Sequence, residues 1–154
     1  MRKVFVTGIG TDVGKTVVSA ILTESWQADY WKPIQSGELG KSDTERVRRL
    51  ISNSKTVFHP EAYRLTEPKS PHTSAKIDDV KIRTSKLLKL PETENTLLIE
   101  GAGGVMVPYN FRGDTIIDIA VKMEAEVLLV VRHYLGSINH TLLSIEYLKS
   151  IGAN

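Results

Sequence analysis

Residues 8–16 read GIGTDVGKT, set between the apolar runs VFVT and VVSAIL. No other stretch of the chain restricts the fold as much. A glycine-rich turn between a strand and a helix lets several backbone N–H groups close on one anion. Lys15 adds positive charge for outer phosphates, and the Thr16 hydroxyl can ligate Mg²⁺. The helix that starts here directs the positive end of its dipole to the same point. The spacing, however, is unusual. The common phosphate loop, G-x-x-x-x-G-K-[ST], requires its first glycine at position 9. That position is Ile, flanked by Gly8 and Gly10. The stretch is therefore either a loop variant or an ordinary glycine-rich turn that precedes Lys-Thr. The order of strand, glycines, GKT and helix favours the variant.

The hydrophobic period alternates along the chain. Short β-branched runs at 3–7, 30–34, 96–99 and 127–131 read as buried strands. Helical patterns cover 14–26, 42–51, 78–90, 114–124 and 138–151. Ser42 and Glu45 have the spacing of a capping box, and Gly152 suits the C′ position of the last helix. Residues 54–76, with Pro60, Pro68 and Pro71, read as a long loop over one face. Inward positions are expected at Ile116, Ile117, Ile119, Ala120 and Met123, and the Leu and Ile stripe of 138–151 is expected to be core. Strands alternating with helices predict one α/β domain over 1–154, with a largely parallel sheet flanked by helices. Ligands of such sheets sit beyond the carboxyl ends of the strands. That rule gathers GIGTDVGKT, KPIQSG, EGAGG and RHYLGSINH at one site. The chain stops at IGAN, after a helix, where a sheet of this type would continue, so either a fragment or a protein lacking its last units is expected.

Composition narrows the function. A net charge of +2 gives no bulk support to a nucleic-acid partner. The absence of cysteine removes thiolate catalysis and thiolate metal sites. No apolar run approaches the ~20 residues of a membrane helix, and the N-terminus lacks a signal-peptide pattern. A cytoplasmic protein is expected, with no membrane partner.

Other strand ends carry chemistry of the same kind. In LLIEGAGG, 97–104, an acid closes a buried strand, which is costly unless a cation meets it. Mg²⁺ beside a phosphate loop is a natural partner for Glu100. The alternative is an exposed strand-end acid before a flexible turn. In YWKPIQSG, 30–37, Lys32 and Ser36 stand at a strand end, where a solvated lysine is the simpler reading. Asp43 is either a first-turn acid favoured by the helix dipole or a third metal ligand with Thr16 and Glu100. In YLGSINH, 134–140, the helix start can bind a carboxylate, or Ser137 simply caps it. His72 and His140 lack metal-ligand spacing, so zinc is not expected.

Taken together, GIGTDVGKT, YWKPIQSG, SDTERV, EPKSPHTSA, IEGAGGVMVP and YLGSINHTLLS resemble the dethiobiotin synthetase family of biotin biosynthesis, from Val4 to about Gly152. The family's loop is similar in having five residues between Gly8 and Gly14, which accounts for the misfit. The resemblance implies an α/β P-loop NTPase fold, a homodimer, and an ATP-dependent ligase. That enzyme joins CO₂ to the two amines of 7,8-diaminopelargonate through a carbamate and a carbamic–phosphoric anhydride.

Carried over, Gly10, Thr11, Asp12, Val13, Gly14, Lys15, Thr16, Glu100 and Gly103 would bind nucleotide. Lys15 and Lys32 would be catalytic, flanking the carbamate and the γ-phosphate. Thr16, Asp43 and Glu100 would hold Mg²⁺. Thr11 and Ser36 would hydrogen-bond substrate or phosphate. Leu135, Gly136, Ser137, Ile138 and Asn139 would receive the substrate carboxylate from the other subunit. Many relatives carry another residue, often Glu, at Asp12. Relatives also continue for several tens of residues, into the stretch that reads the base.

Three rival readings remain. A partitioning-type P-loop ATPase usually carries an additional lysine early in the loop, and GIGTDV has none. A ligase amidating a corrinoid acid would be much longer and carry a cysteine nucleophile. A non-catalytic truncated P-loop domain is the third.

Overall fold

The computed structural model describes residues 1–153. In chain order the elements are β1 (Lys3–Gly8), α1 (Lys15–Trp26), β2 (Asp29–Trp31), β3 (Ile34–Ser36), a 3-10 turn (Leu39–Lys41), α2 (Asp43–Leu50), β4 (Phe58–His59) and β5 (Tyr63–Leu65). They continue with α3 (Pro71–Ile77), α4 (Thr84–Leu87), β6 (Leu97–Glu100), α5 (Ile116–Lys122), β7 (Glu126–Val130) and α6 (Ser137–Ser150). Five strands form a parallel sheet in the order β4-β2-β6-β1-β7. β3 and β5 pair in a small separate parallel sheet.

Side chains alternate across a strand, so the sheet builds two cores. Val4, Val6, Tyr30 and Leu98 face one side, with Ala20 of α1 and Val47 of α2. Phe5, Trp31, Leu97 and Ile99 face the other, with α5 and with Leu148 of α6. The helices therefore cover both faces, as the alternating pattern predicted. All the inward positions expected of α5 are buried. Among the described residues no helix is long and apolar enough to cross a membrane.

Four details differ from the sequence reading. The run 30–34 is split: Pro33 has no N–H for a ladder, and Ile34 turns away to pair with Tyr63. The supposed loop 54–76 holds β4, β5 and α3, because Pro71 starts a helix at N1 rather than ending one. The helix expected over 78–90 is only the single turn of α4. Asp79 takes φ 53°, and Val80 N–H donates to Ala75 O at 2.8 Å, ending α3 in a Schellman turn. An Asp occupies the position where Gly is usual, so the stop was hidden.

Finally, the apolar stripe of α6 is core only towards its end: Leu148 is buried, with Tyr147 and Ile151 packed against the same cluster, while Ile138, Leu142 and Leu143 are exposed. α6 follows β7, which is an edge strand among the described residues, so the sheet covers only its inner side. Its end is as expected. Gly152 takes φ 66°, and the N–H groups of Gly152 and Ala153 donate to Lys149 O and Leu148 O.

Glu24 ties α1 to the chain after α2. Its carboxylate accepts from Ser52 N at 2.9 Å, Asn53 N at 3.0 Å, Ser52 Oγ at 2.6 Å and Asn53 Nδ2 at 2.9 Å. The Ser52 hydroxyl and the Asn53 and Ser52 amides lower its pKa from 4.5 to about 2. A depressed carboxyl pKa stabilises the fold above the ordinary value, and that stability is lost as pH falls through the folded value. Glu24→Gln is expected to remove this part of the acid sensitivity. Between pH 4.5 and about 2, the urea midpoint of the variant should fall less than that of the parent chain.

Candidate functional site

The carboxyl ends of β1, β2 and β6 open into one cavity of about 620 Å³. Its floor is the loop between β1 and α1. Gly14 is the N-cap of α1 at φ 101°, no side chain caps the helix, and its first turn holds no acid. α2 differs: Ser42 Oγ accepts from Glu45 N at 3.3 Å. The first N–H groups of α1 are left for a ligand. Lys15 is buried, and its Nζ donates to Gly10 O at 2.8 Å. Burial lowers its pKa, and the Lys32 ammonium lowers it further.

The register of the sheet brings the other groups together. Trp31 lies opposite Ile99, so the next residues along, Lys32 and Glu100, meet at the strand ends. Lys32 Nζ lies 3.1 Å from Glu100 Oε1 and 2.6 Å from Asp43 Oδ2, and it donates to Gly101 O at 3.1 Å. Lys32 and Glu100 are almost fully buried, at 4% and 1% exposure. Burial works against the Lys32 ammonium, but Glu100 and Asp43 outweigh it and raise the pKa. Burial likewise pushes Asp43 up, and Lys32 more than reverses this.

Thr16 Oγ1 lies 3.1 Å from Asp43 Oδ1 and 3.0 Å from Glu100 Oε1. A hydroxyl has one proton to give, so two carboxylates compete for it. Thr16, Asp43 and Glu100 thus form a set of hard oxygen donors. Such a set could hold Mg²⁺, which uses one or two carboxylates and fills its shell from water and phosphate. Among the described residues no group of three or more His, Cys, Asp or Glu is placed to hold a metal ion without other donors.

Of the residues singled out from the sequence, Thr11, Asp12, Gly14, Lys15, Thr16, Lys32, Ser36, Asp43, Glu100 and Gly103 line this cavity. Ser36 Oγ is buried with no partner. Gly10 contributes through its carbonyl. Val13 is buried beneath the loop, where a Cβ on Gly8 would lie 2.6 Å from Val13 Cγ2. Asp12 takes φ 56°, and its carbonyl accepts from Arg132 Nη1 at 3.3 Å.

Leu135–Asn139 do not line the cavity. They follow β7, on the side of β1 away from β6. Ser137 does not cap α6. Gly136 does, at φ 99°, so this helix start is also free of side-chain caps and of first-turn acids.

The sequence reading missed several residues. Tyr30 is buried and its hydroxyl donates to Glu100 Oε2 at 2.9 Å. Burial, with Glu100 and Asp43, holds its pKa well above the ordinary value, so it remains a donor. The signal was present, since residues two apart on a strand share a face and Tyr30 is two before Lys32. Gln35 Oε1 accepts from Asp43 N at 3.2 Å while its Nε2 donates to Gly37 O at 3.0 Å, which fixes the start of α2. Arg46 and residues 68–71 also line the cavity. Gly37 admits that wall: a Cβ there would lie 2.6 Å from Pro68 Cα. No local pattern announces such a contact between distant loops.

A family model described as an AAA domain matches residues 2–154. Curated relatives are similar over nearly the whole chain. The ATP-dependent dethiobiotin synthetase BioD of Christiangramia forsetii is 58% identical over 151 residues, 98% of this chain and 72% of that protein. Those of Cytophaga hutchinsonii and Paramagnetospirillum magneticum are 50% and 46% identical, each over 97% of this chain and 71% of theirs. The phosphate loop with its five-residue spacing and the carboxylate–lysine cluster beside it thus come with close sequence relatives of one kind: the chain belongs to the ATP-dependent dethiobiotin synthetase family.

Proposed function

We propose that this chain is a cytoplasmic, homodimeric ligase that closes the ureido ring of dethiobiotin from 7,8-diaminopelargonate, CO₂ and ATP. The observation that carries the reading is the cluster of buried Lys32 and Glu100 with half-buried Asp43 and Thr16 at the mouth of the phosphate loop. One substrate amine adds to CO₂ to give a carbamate, with loss of a proton from the nitrogen. A carbamate oxygen attacks the γ-phosphorus and ADP leaves. The second amine then attacks the activated carbonyl, phosphate leaves, and the ring closes with loss of a proton.

Lys15 and Lys32 would neutralise the carbamate and the transferring phosphoryl group. The α1 N-terminus would hold the phosphates through backbone N–H groups. Thr16, Asp43 and Glu100 would hold Mg²⁺, which when bound neutralises phosphate charge. Lys32 contacts both of these carboxylates, so it would stand beside the cation and the substrate. Thr11 and Ser36 would orient substrate or phosphate, and positioning would supply much of the rate. The uncapped start of α6, from Leu135 to Asn139, would receive the substrate carboxylate in a partner copy. Its exposed Leu135 and Ile138 suit such an interface.

The test is incorporation of label. With ¹³C-bicarbonate, ATP–Mg²⁺ and the diamine, mass spectrometry should find dethiobiotin carrying one ¹³C. ATP turnover without a labelled cyclic urea would overturn the reading.

A further inference from the structure

Tyr30 is fully buried on the α1 face of the sheet, packed beside Phe58 with ring centroids 5.8 Å apart. Its hydroxyl donates to Glu100 Oε2 at 2.9 Å. The other oxygen, Oε1, takes the contacts of Thr16 at 3.0 Å and Lys32 at 3.1 Å. The carboxylate therefore has one oxygen turned back into the core and one turned to the cavity. Without a donor at Oε2, the group could rotate and offer both oxygens to the Lys32 ammonium. Lys32 would then be harder to draw away from Glu100.

We propose that Tyr30 is a positioning residue for the cation site: its hydroxyl pins Oε2 of Glu100, so that Oε1 alone is presented to Thr16, Lys32 and an incoming divalent cation. The proposal rests on the reading of Thr16, Asp43 and Glu100 as cation ligands. Groups that orient a ligand from behind are commonly worth about 10–100-fold in metal affinity or activity, and a buried hydroxyl on a carboxylate is of that kind.

The test is a titration of the full chain with Mn²⁺ in the presence of ADP, read by electron paramagnetic resonance, on the parent chain, Tyr30→Phe and Phe58→Leu. The last disturbs the packing of the ring without touching its hydroxyl. Tyr30→Phe should weaken Mn²⁺ binding by about 10–100-fold, while Phe58→Leu stays within about twofold of the parent even if its melting temperature drops. Tyr30→Phe within about twofold of the parent, or equal losses in both variants, would overturn the positioning role. A parent chain that binds no Mn²⁺ with ADP would overturn the cation-site reading, and this role with it.

Discussion

Lys32→Ala is expected to lose both stability and chemistry. The parent ammonium is the counter-charge of the buried Glu100 carboxylate at 3.1 Å and the half-buried Asp43 carboxylate at 2.6 Å. Removing one member of a buried ion pair leaves an uncompensated charge and costs about 3–5 kcal/mol. That is a large share of the ~5–15 kcal/mol that holds an ordinary domain together. The substitution also removes a positive group from the place where transition-state charge gathers, an effect of about 10²–10³ in rate for one such donor. The stability loss should depend on pH in a telling way. In the parent chain burial raises the Asp43 pKa but Lys32 holds it below 3.8, so the pair stabilises above that pH and less so below it. In the variant only the Thr16 hydroxyl and Arg46 still oppose the burial of Asp43, and its carboxyl escapes part of the penalty by taking up a proton. Urea midpoints should therefore show the largest deficit at neutral pH and a smaller one near pH ~4–5. Mg²⁺ should stabilise the variant more than the parent, since a cation would replace the lost ammonium. A variant as stable as the parent at neutral pH would contradict the account.

Lys15→Ala should separate these two effects. Lys15 is buried, yet among the described residues it makes no salt bridge, and its Nζ contact is the Gly10 carbonyl. Burial, then the Lys32 ammonium, lower its pKa. Its removal relieves desolvation and repulsion, so the urea midpoint should hold or rise. Phosphate release from ATP should nonetheless fall by about 10²–10³ or more. The thermal shift given by ATP–Mg²⁺ should shrink, because a ligand stabilises only in proportion to its affinity for the folded state. Loss of stability without loss of nucleotide binding would place Lys15 in the core rather than in the site.

The contrast shows which parts of the protein were legible in sequence. The phosphate loop could be read because strand, glycines, lysine and helix are contiguous. Glu100 could be read because an acid at the end of LLI needs a cation. The buried strands could be read because VFV and LLI are unbroken apolar runs, as a parallel sheet covered on both faces requires. What could not be read depends on neighbours distant in the chain. Pro71 opens a helix, Asp79 closes one in place of glycine, and Gly37 makes room for Pro68. The exposed stripe of α6 carries the same period as a core stripe. Only the position of β7 at the edge of the described sheet explains why it stays uncovered. Tyr30 could be placed on the strand face of Lys32, but its partner Glu100 shows only once β6 is laid beside it.

The most direct test of the central claim is single-turnover release of phosphate from ATP–Mg²⁺, with and without diaminopelargonate plus bicarbonate. Release that requires both substrates, and that Lys15→Ala abolishes in a folded protein, is the predicted result. Equal release without the diamine, or none from a folded chain that has both substrates, would contradict it.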